Sequence, residues 1–298
     1  MKDSIETLKK IYKPYKYTIL NKCTLLESTS GNIVIKEKGK TNLRELFSYL
    51  KSRNFTCFPK LIEENREEVN VFEYVDNIEI PVAQKANDLM KVVASLHEKT
   101  SYNKEVTDDK YKEIYENVLS NIHYKRSVYS DLISFSEDSL FPSPSEQLLL
   151  INSNKMFEAL DFCERELESW LEMVLEKKKQ KVSLIHNNLR LEHYLKSNND
   201  CLISWDNACV DTPVIDLVTL YRNDALNIDF RESLDTYLKY HALSDDELKL
   251  FFILIVIPDE INLNNEEIRN VKNVRHVIDY IFKTEDLIRP YYSKEKEE

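Results

Sequence analysis

Only two glycines, Gly31 and Gly39, occur in a chain of 298 residues, where average usage would place about 20. Glycine lets backbone approach a phosphate closely and enters the left-handed region without steric cost. With two of them, a chain cannot build a glycine-rich phosphate cradle, and it holds neither a P-loop nor a dinucleotide fingerprint. The nucleophile elbow G-x-S-x-G and the zinc motif H-E-x-x-H are missing too.

Hydrophobic residues make up 42% of the chain and charged residues 31%, which suits a packed core facing water. The net charge of -11 argues against a nucleic-acid binder, which would carry a basic surface, and against docking on anionic lipid. The longest strongly apolar run, Leu250 to Pro258, falls well short of the roughly 20 residues that span a bilayer and reads as a buried helix. Met1 to Glu6 lacks the apolar segment of a signal peptide. Cys23, Cys57, Cys163, Cys201 and Cys209 are odd in number and show no C-x-x-C spacing, so they read as free thiols in a reducing compartment. A cytoplasmic location is expected.

Along the chain, the first 80 residues read as mixed. Thr18 to Glu27 is strand-like, Ser28 to Gly31 signals a turn, and Asn32 to Lys38 reads as a second strand. Asn42 to Ser52 is a helix with Leu43, Leu46, Phe47 and Leu50 on one face; Lys60 to Glu64 and Val69 to Val75 are further strands. From Pro81 the period turns helical, with stripes at Ala86 to Leu96 and Ile114 to Ile133, then a long amphipathic helix over Met156 to Lys177. Short strands follow at Val182 to His186, Tyr194 to Lys196 and Cys201 to Trp205. Ile215 to Asn223, Arg231 to His241, Ser244 to Ile257 and Glu266 to Leu287 are helices, and the tail Ser293 to Glu298 is charged. The order predicts an α+β, two-lobed chain: an N-lobe over 1–78 with an antiparallel sheet and one helix, and a mostly helical C-lobe over 79–298. The extended stretch Glu73 to Glu79 would be the hinge.

The segment His186-Asn187-Asn188-Leu189-Arg190-Leu191-Glu192-His193, then Ile203-Ser204-Trp205, then Asp211-Thr212-Pro213-Val214-Ile215-Asp216-Leu217, resembles the core of the aminoglycoside-phosphotransferase and choline-kinase-like superfamily. It looks closest to the spore-coat kinase-like proteins of Gram-positive bacteria. The family pattern runs H-G-D-x-x-x-x-N, I-D-W/F and D-x-P-x-x-D-L. Val71 to Val75 looks like the family hinge, and Ala94 to Thr100 like its first C-lobe helix. The resemblance implies the protein-kinase-like fold of the aminoglycoside phosphotransferases. It makes His186 a loop brace, Trp205 the packing beneath the loop, and Asp216 a structural acceptor for backbone amides.

The departures from that pattern bear on chemistry. Asn188 stands where the resemblance implies the aspartate base, and an amide has no basic oxygen near neutral pH. His193 replaces a magnesium-binding asparagine, although magnesium prefers hard oxygen ligands. Ser204 replaces the main metal carboxylate. Phosphoryl transfer rests on positioning and on metal neutralisation of charge, so a pseudokinase is expected, with no certain cofactor and no metal. Asp206 is the candidate that would rescue a metal, with Asp211 beside it, although a turn-capping role for Asp206 and exposure of Asp211 are the simpler readings. In the N-lobe, Lys36 occupies the place of the phosphate-contacting lysine, with Glu45 as its ion-pair candidate and Glu73 at the hinge; a solvated strand lysine and a first-turn glutamate favoured by the helix dipole are the plain alternatives.

His186 and His193 would make a metal pair only with a third ligand. Trp170 and the aromatics of Tyr111 to Tyr129 read as core or groove packing, and Tyr291 and Tyr292 as a docking contact. The cluster Lys177-Lys178-Lys179 and Lys181 follows a helix, whose C-terminus favours cations without any anionic partner. Three functions compete: a degraded kinase that binds a protein or a small ligand, within a spore-forming cell by resemblance; a working phosphotransferase using ATP and magnesium through Asp206 and Lys36; and a structural coat or assembly protein.

Overall fold

The computed structural model describes residues 8, 10–20, 23–29, 31–63 and 68–293. In the N-lobe, β1 (Lys16–Leu20), β2 (Cys23–Glu27), β3 (Ile33–Glu37), β4 (Leu61–Glu63) and β5 (Val69–Glu73) form one antiparallel sheet in the order β1-β2-β3-β5-β4. Alternation sets its two faces, since successive strand side chains point opposite ways. Leu26, Ile33, Ile35, Val69 and Val71 bury one face against Leu8. Val34 and Lys36 lie on the other, with Lys36 opposite Cys23 and Asn70.

Helix α1 (Leu43–Ser52) starts at Asn42, whose side chain accepts the N–H of Glu45, an N-cap that satisfies an otherwise orphan donor. Leu43, Phe47 and Leu50 are buried in the same hydrophobic cluster as the helices beyond the hinge, so the main core runs across the 78/79 boundary. The C-lobe comprises α2 (Val82–Thr100), β6 (Tyr102–Glu105), α3 (Asp108–Glu137), α4 (Pro144–Leu175), β7 (Lys179–Ile185), β8 (Tyr194–Leu195), β9 (Cys201–Leu202), β10 (Cys209–Asp211), α5 (Val214–Asp224), α6 (Phe230–Tyr240), α7 (Asp245–Val256) and α8 (Glu267–Ser293). Its strands form a three-stranded sheet, β10-β7-β6, and the hairpin β8-β9. Among the described residues no helix is long and apolar enough to cross a membrane.

Several boundaries differ from the sequence expectation. The run Thr18 to Glu27 is two strands, so the turn with Gly31 joins β2 to β3; residues 21 and 22, between β1 and β2, lie outside the described residues. Strand β6 has no apolar alternation and all four residues are exposed. It exists because β7 offers it an edge, Tyr102 pairing with Val182 and Glu105 with Lys179. Helix α4 begins at Pro144, well before Met156. Ser143 and Glu146 form a capping box there with proline in the first turn, a start signal that S-x-x-E spells in the sequence. The strand expected over Cys201 to Trp205 stops at Leu202, because Ser204 takes φ 70° and a 3-10 turn follows over Trp205–Asn207. Glu64, the N-terminal residues Met1 to Glu6 and the tail from residue 294 lie outside the described residues.

Candidate functional site

The loop after β7 hangs on one carboxylate. Asp216, in the first turn of α5, is fully buried. Its Oδ2 accepts the backbone N–H of His186 at 2.8 Å and its Oδ1 that of Asn187 at 2.7 Å. Oδ2 also lies 3.0 Å from His97 Nε2. A carboxylate is an acceptor, so His97 carries its proton on Nε2 toward Asp216. With that proton on Nε2, Nδ1 faces the hydroxyl of Tyr237, 2.7 Å away. Burial, with Asp216 close by, holds the Tyr237 phenol well above its usual range, so it keeps its proton. His97 and Tyr237 were not singled out from the sequence; only the stretch around Leu96-His97 hinted at the first.

His186 donates from Nε2 to the carbonyl of Ile203 at 2.8 Å. Burial lowers its pKa, which keeps it neutral. The loop is thereby tied to the chain just before Ser204. His193 Nδ1 lies 2.6 Å from the carbonyl of Asn188 and donates to it, leaving Nε2 with its lone pair. Burial lowers the pKa of His193 as well. The two imidazole rings are 6.0 Å apart, but no group of three His, Cys, Asp or Glu able to hold a metal occurs among the described residues.

The scarcity of glycine is met locally by asparagine. Asn187 stands at the glycine of the H-G-D pattern and has φ 55°. Asparagine tolerates that left-handed backbone, whereas a branched side chain meets the following carbonyl. Its amide adds a bond to the Asn207 carbonyl at 3.3 Å. Asn187→Val is expected to cost about 2 kcal/mol, while Asn187→Gly should stay within about 1 kcal/mol of the parent. Urea denaturation of both variants checks this; a valine variant as stable as the glycine one would refute it.

The left-handed turn at Ser204 sends Trp205 inward and carries Asp206 toward the N-lobe. Asp206 accepts a hydrogen bond from Lys36 Nζ in a half-buried ion pair, with side-chain exposures of 24% and 22%. Thr41 donates to the Asp206 carbonyl. A Cβ on Gly39 would stand in ordinary van der Waals contact with Asp206, 3.4 Å from its Cβ and 3.5 Å from its Oδ1, so the β3–α1 connection passes directly over this carboxylate. The partner of Lys36 is thus Asp206 and not Glu45. Glu45 is exposed in the first turn of α1, and its backbone N–H is taken by Asn42. Glu73 ends β5 exposed and pairs with Lys60 at 3.2 Å. Asn188 and Ser204 are half-buried, and Asp211 is exposed at the end of β10, its carboxylate accepting the N–H of Thr212 at 2.7 Å.

Aromatic packing joins the lobes beneath this pair. Trp205 lies 4.9 Å from the His186 ring, 6.2 Å from Phe47 of α1 and 6.1 Å from Phe55. Its indole N–H donates to the Leu202 carbonyl at 2.5 Å. The stretch between β5 and α2, expected as the hinge, is tied to the β8–β9 hairpin as well. Ile78 N–H bonds the Lys196 carbonyl at 2.7 Å, and the Asn77 side chain accepts the Lys196 N–H at 3.0 Å.

No protein-family model and no curated protein sequence matches the chain. Solved structures do match in shape. An aminoglycoside phosphotransferase from Alicyclobacillus acidocaldarius subsp. acidocaldarius DSM 446 aligns with TM-score 0.72 and 10% identity over 96% of this chain and 93% of its own. A spectinomycin phosphotransferase in its AMP-bound complex aligns with TM-score 0.61 and 14% identity over 95% and 97%. The same enzyme with ADP and spectinomycin gives TM-score 0.54 and 13% identity over 95% and 98%. Identities this low carry the fold and nothing finer, since function lives in the site: the chain has the two-lobed, kinase-like fold of the aminoglycoside phosphotransferases.

Proposed function

We propose that this chain is a kinase-fold protein that acts by binding, a pseudokinase whose partner is a protein or a small ligand at the interlobe cleft. The Lys36–Asp206 pair carries the reading. The cation at the phosphate-contacting position and the nearest carboxylate after the Ser204 turn neutralise each other, while Ser204 itself is neutral. Phosphoryl transfer needs metal charge on the leaving phosphates and a positioned acceptor hydroxyl, and Asn188 supplies no base for the second task. The residues present do not fit a divalent ion. The resemblance over residues 184–217 adds a spore-associated setting to this proposal.

The same pair favours one rival reading, an active phosphotransferase in which Asp206 releases Lys36 to the phosphates and takes the metal. Thermal-shift titration with ATP and magnesium or manganese separates the two. On the binding reading the midpoint moves by less than about 1 °C with metal and nucleotide together; stabilisation by ligand scales with its occupancy. On the rival reading it rises by several degrees only when metal is present, and γ-phosphate transfer disappears in Asp206→Asn. That second pattern sinks the proposal.

A further inference from the structure

A cavity of about 240 Å³ lies in the C-lobe between β7, the first turn of α3, the last turns of α4 and the start of α7. None of the cleft residues lines it. Three polar side chains in its wall are almost fully enclosed: Tyr111 and Trp170 are 2% exposed and Thr212 is 6% exposed. The Tyr111 and Trp170 rings meet edge to face at 6.2 Å. Among the described residues, the Tyr111 hydroxyl, the Trp170 indole N–H and the Thr212 hydroxyl have no hydrogen-bond partner. None of the three atoms is sealed off from a water-sized contact. Buried polar groups are nearly always paired, and here the partners of all three must come from the space they face. Three such groups around one space call for an occupant.

Charge says which kind. Lys177, Lys179 and Lys181 line the same space, together with Gln180. Lys177 pairs with Asp246 at 2.5 Å, and Lys181 with Glu247 at 3.3 Å while also donating to the Ala242 carbonyl. Lys179 has no ion-pair partner among the described residues. The indole N–H and an ammonium only donate, and the two hydroxyls can donate. The free groups therefore favour an occupant rich in acceptors and carrying negative charge. The volume falls below the roughly 300–1,000 Å³ of drug-sized pockets, which suits a molecule smaller than a nucleotide.

We propose that this C-lobe cavity binds a small oxyanion-bearing metabolite, a phosphorylated or carboxylated polyol of sugar size, with Lys179 meeting the anion and Trp170, Tyr111 and Thr212 ordering its oxygens. The lysine cluster then does more than complement a helix end. The proposal is independent of what happens in the interlobe cleft.

The test titrates the full chain with inorganic phosphate, glucose 6-phosphate and citrate, following intrinsic tryptophan fluorescence and the thermal midpoint. At least one probe should give a saturable response below about 10 mM; the first two against citrate separate phosphate from carboxylate recognition. Lys179→Met, at an exposed position, should weaken that response roughly tenfold or more, the worth of a charged hydrogen bond. Trp170→Phe keeps a ring but loses the N–H, and should abolish the fluorescence change. No saturable response to any probe overturns the proposal. So does a response that Lys179→Met and Trp170→Phe leave intact, because binding would then lie elsewhere.

Discussion

Asp216→Ala should lower the stability of the fold by about 3–5 kcal/mol, because it strips a buried acceptor from several donors at once. The carboxylate holds the N–H groups of His186 and Asn187 and the imidazole of His97. Each orphaned donor would cost about 1–3 kcal/mol, and the costs of groups sharing one partner do not simply add. Against a typical total of about 5–15 kcal/mol, the loss is large. It should appear as a fall in the thermal midpoint of roughly 6–10 °C and a lower urea midpoint. Asp216→Asn is the informative control. It keeps one acceptor oxygen but turns an NH2 group toward N–H donors, so it should still cost about 2 kcal/mol. Chemical denaturation of the three proteins decides the matter. A loss under about 1 kcal/mol for alanine would show that the loop is held by something else.

The type of each long element was legible in the sequence because its signals are local. Leu43, Phe47 and Leu50 repeat at helical spacing, and the helices after Ile215 keep a buried stripe throughout. The kinase-like frame was legible through the spacing of His186, Trp205 and Asp216. Strand β6 was not, since its pairing with β7 is imposed from outside and its own residues carry no pattern. The pairing of Lys36 was not legible: Glu45 was its expected partner, and Asp206 was read only as a metal candidate or a turn cap. Asp206 lies 170 positions away in the chain, and which carboxylate reaches Lys36 depends on the left-handed turn at Ser204, a backbone state that serine does not advertise. Asn187 is the instructive middle case. Its φ follows from its place in the H-G-D pattern once the scarcity of glycine is taken seriously. The C-lobe cavity was hidden for another reason: Tyr111, Trp170 and Thr212 come from α3, α4 and the β10–α5 connection, and a sequence does not reveal that a buried hydroxyl lacks a partner.

Trp205→Ala should cost about 3–5 kcal/mol, the range for deleting a large buried aromatic side chain. The position is a seam: His186 lies beneath the ring, Phe47 and Phe55 stand against it from the N-lobe side, and Phe47 stacks on Phe58 at 4.4 Å. Deletion would leave a cavity between α1 and the loop after β7, and the Leu202 carbonyl would lose its indole donor. Trp205→Phe separates these effects. It refills most of the space and loses the N–H, so more than half of the stability should return, leaving a deficit of about 1–2 kcal/mol. The seam also bears on Lys36 and Asp206, because Asp206 follows Trp205 directly and any shift of the turn moves the carboxylate. Trp205→Ala should therefore loosen that ion pair as well as the core, and hydrogen exchange at the Trp205–Asn207 turn and at β3 should quicken together. If the alanine variant unfolds within about 1 kcal/mol of the parent, or if exchange quickens at the turn alone, the two lobes are joined elsewhere and the ion pair stands without the aromatic column beneath it.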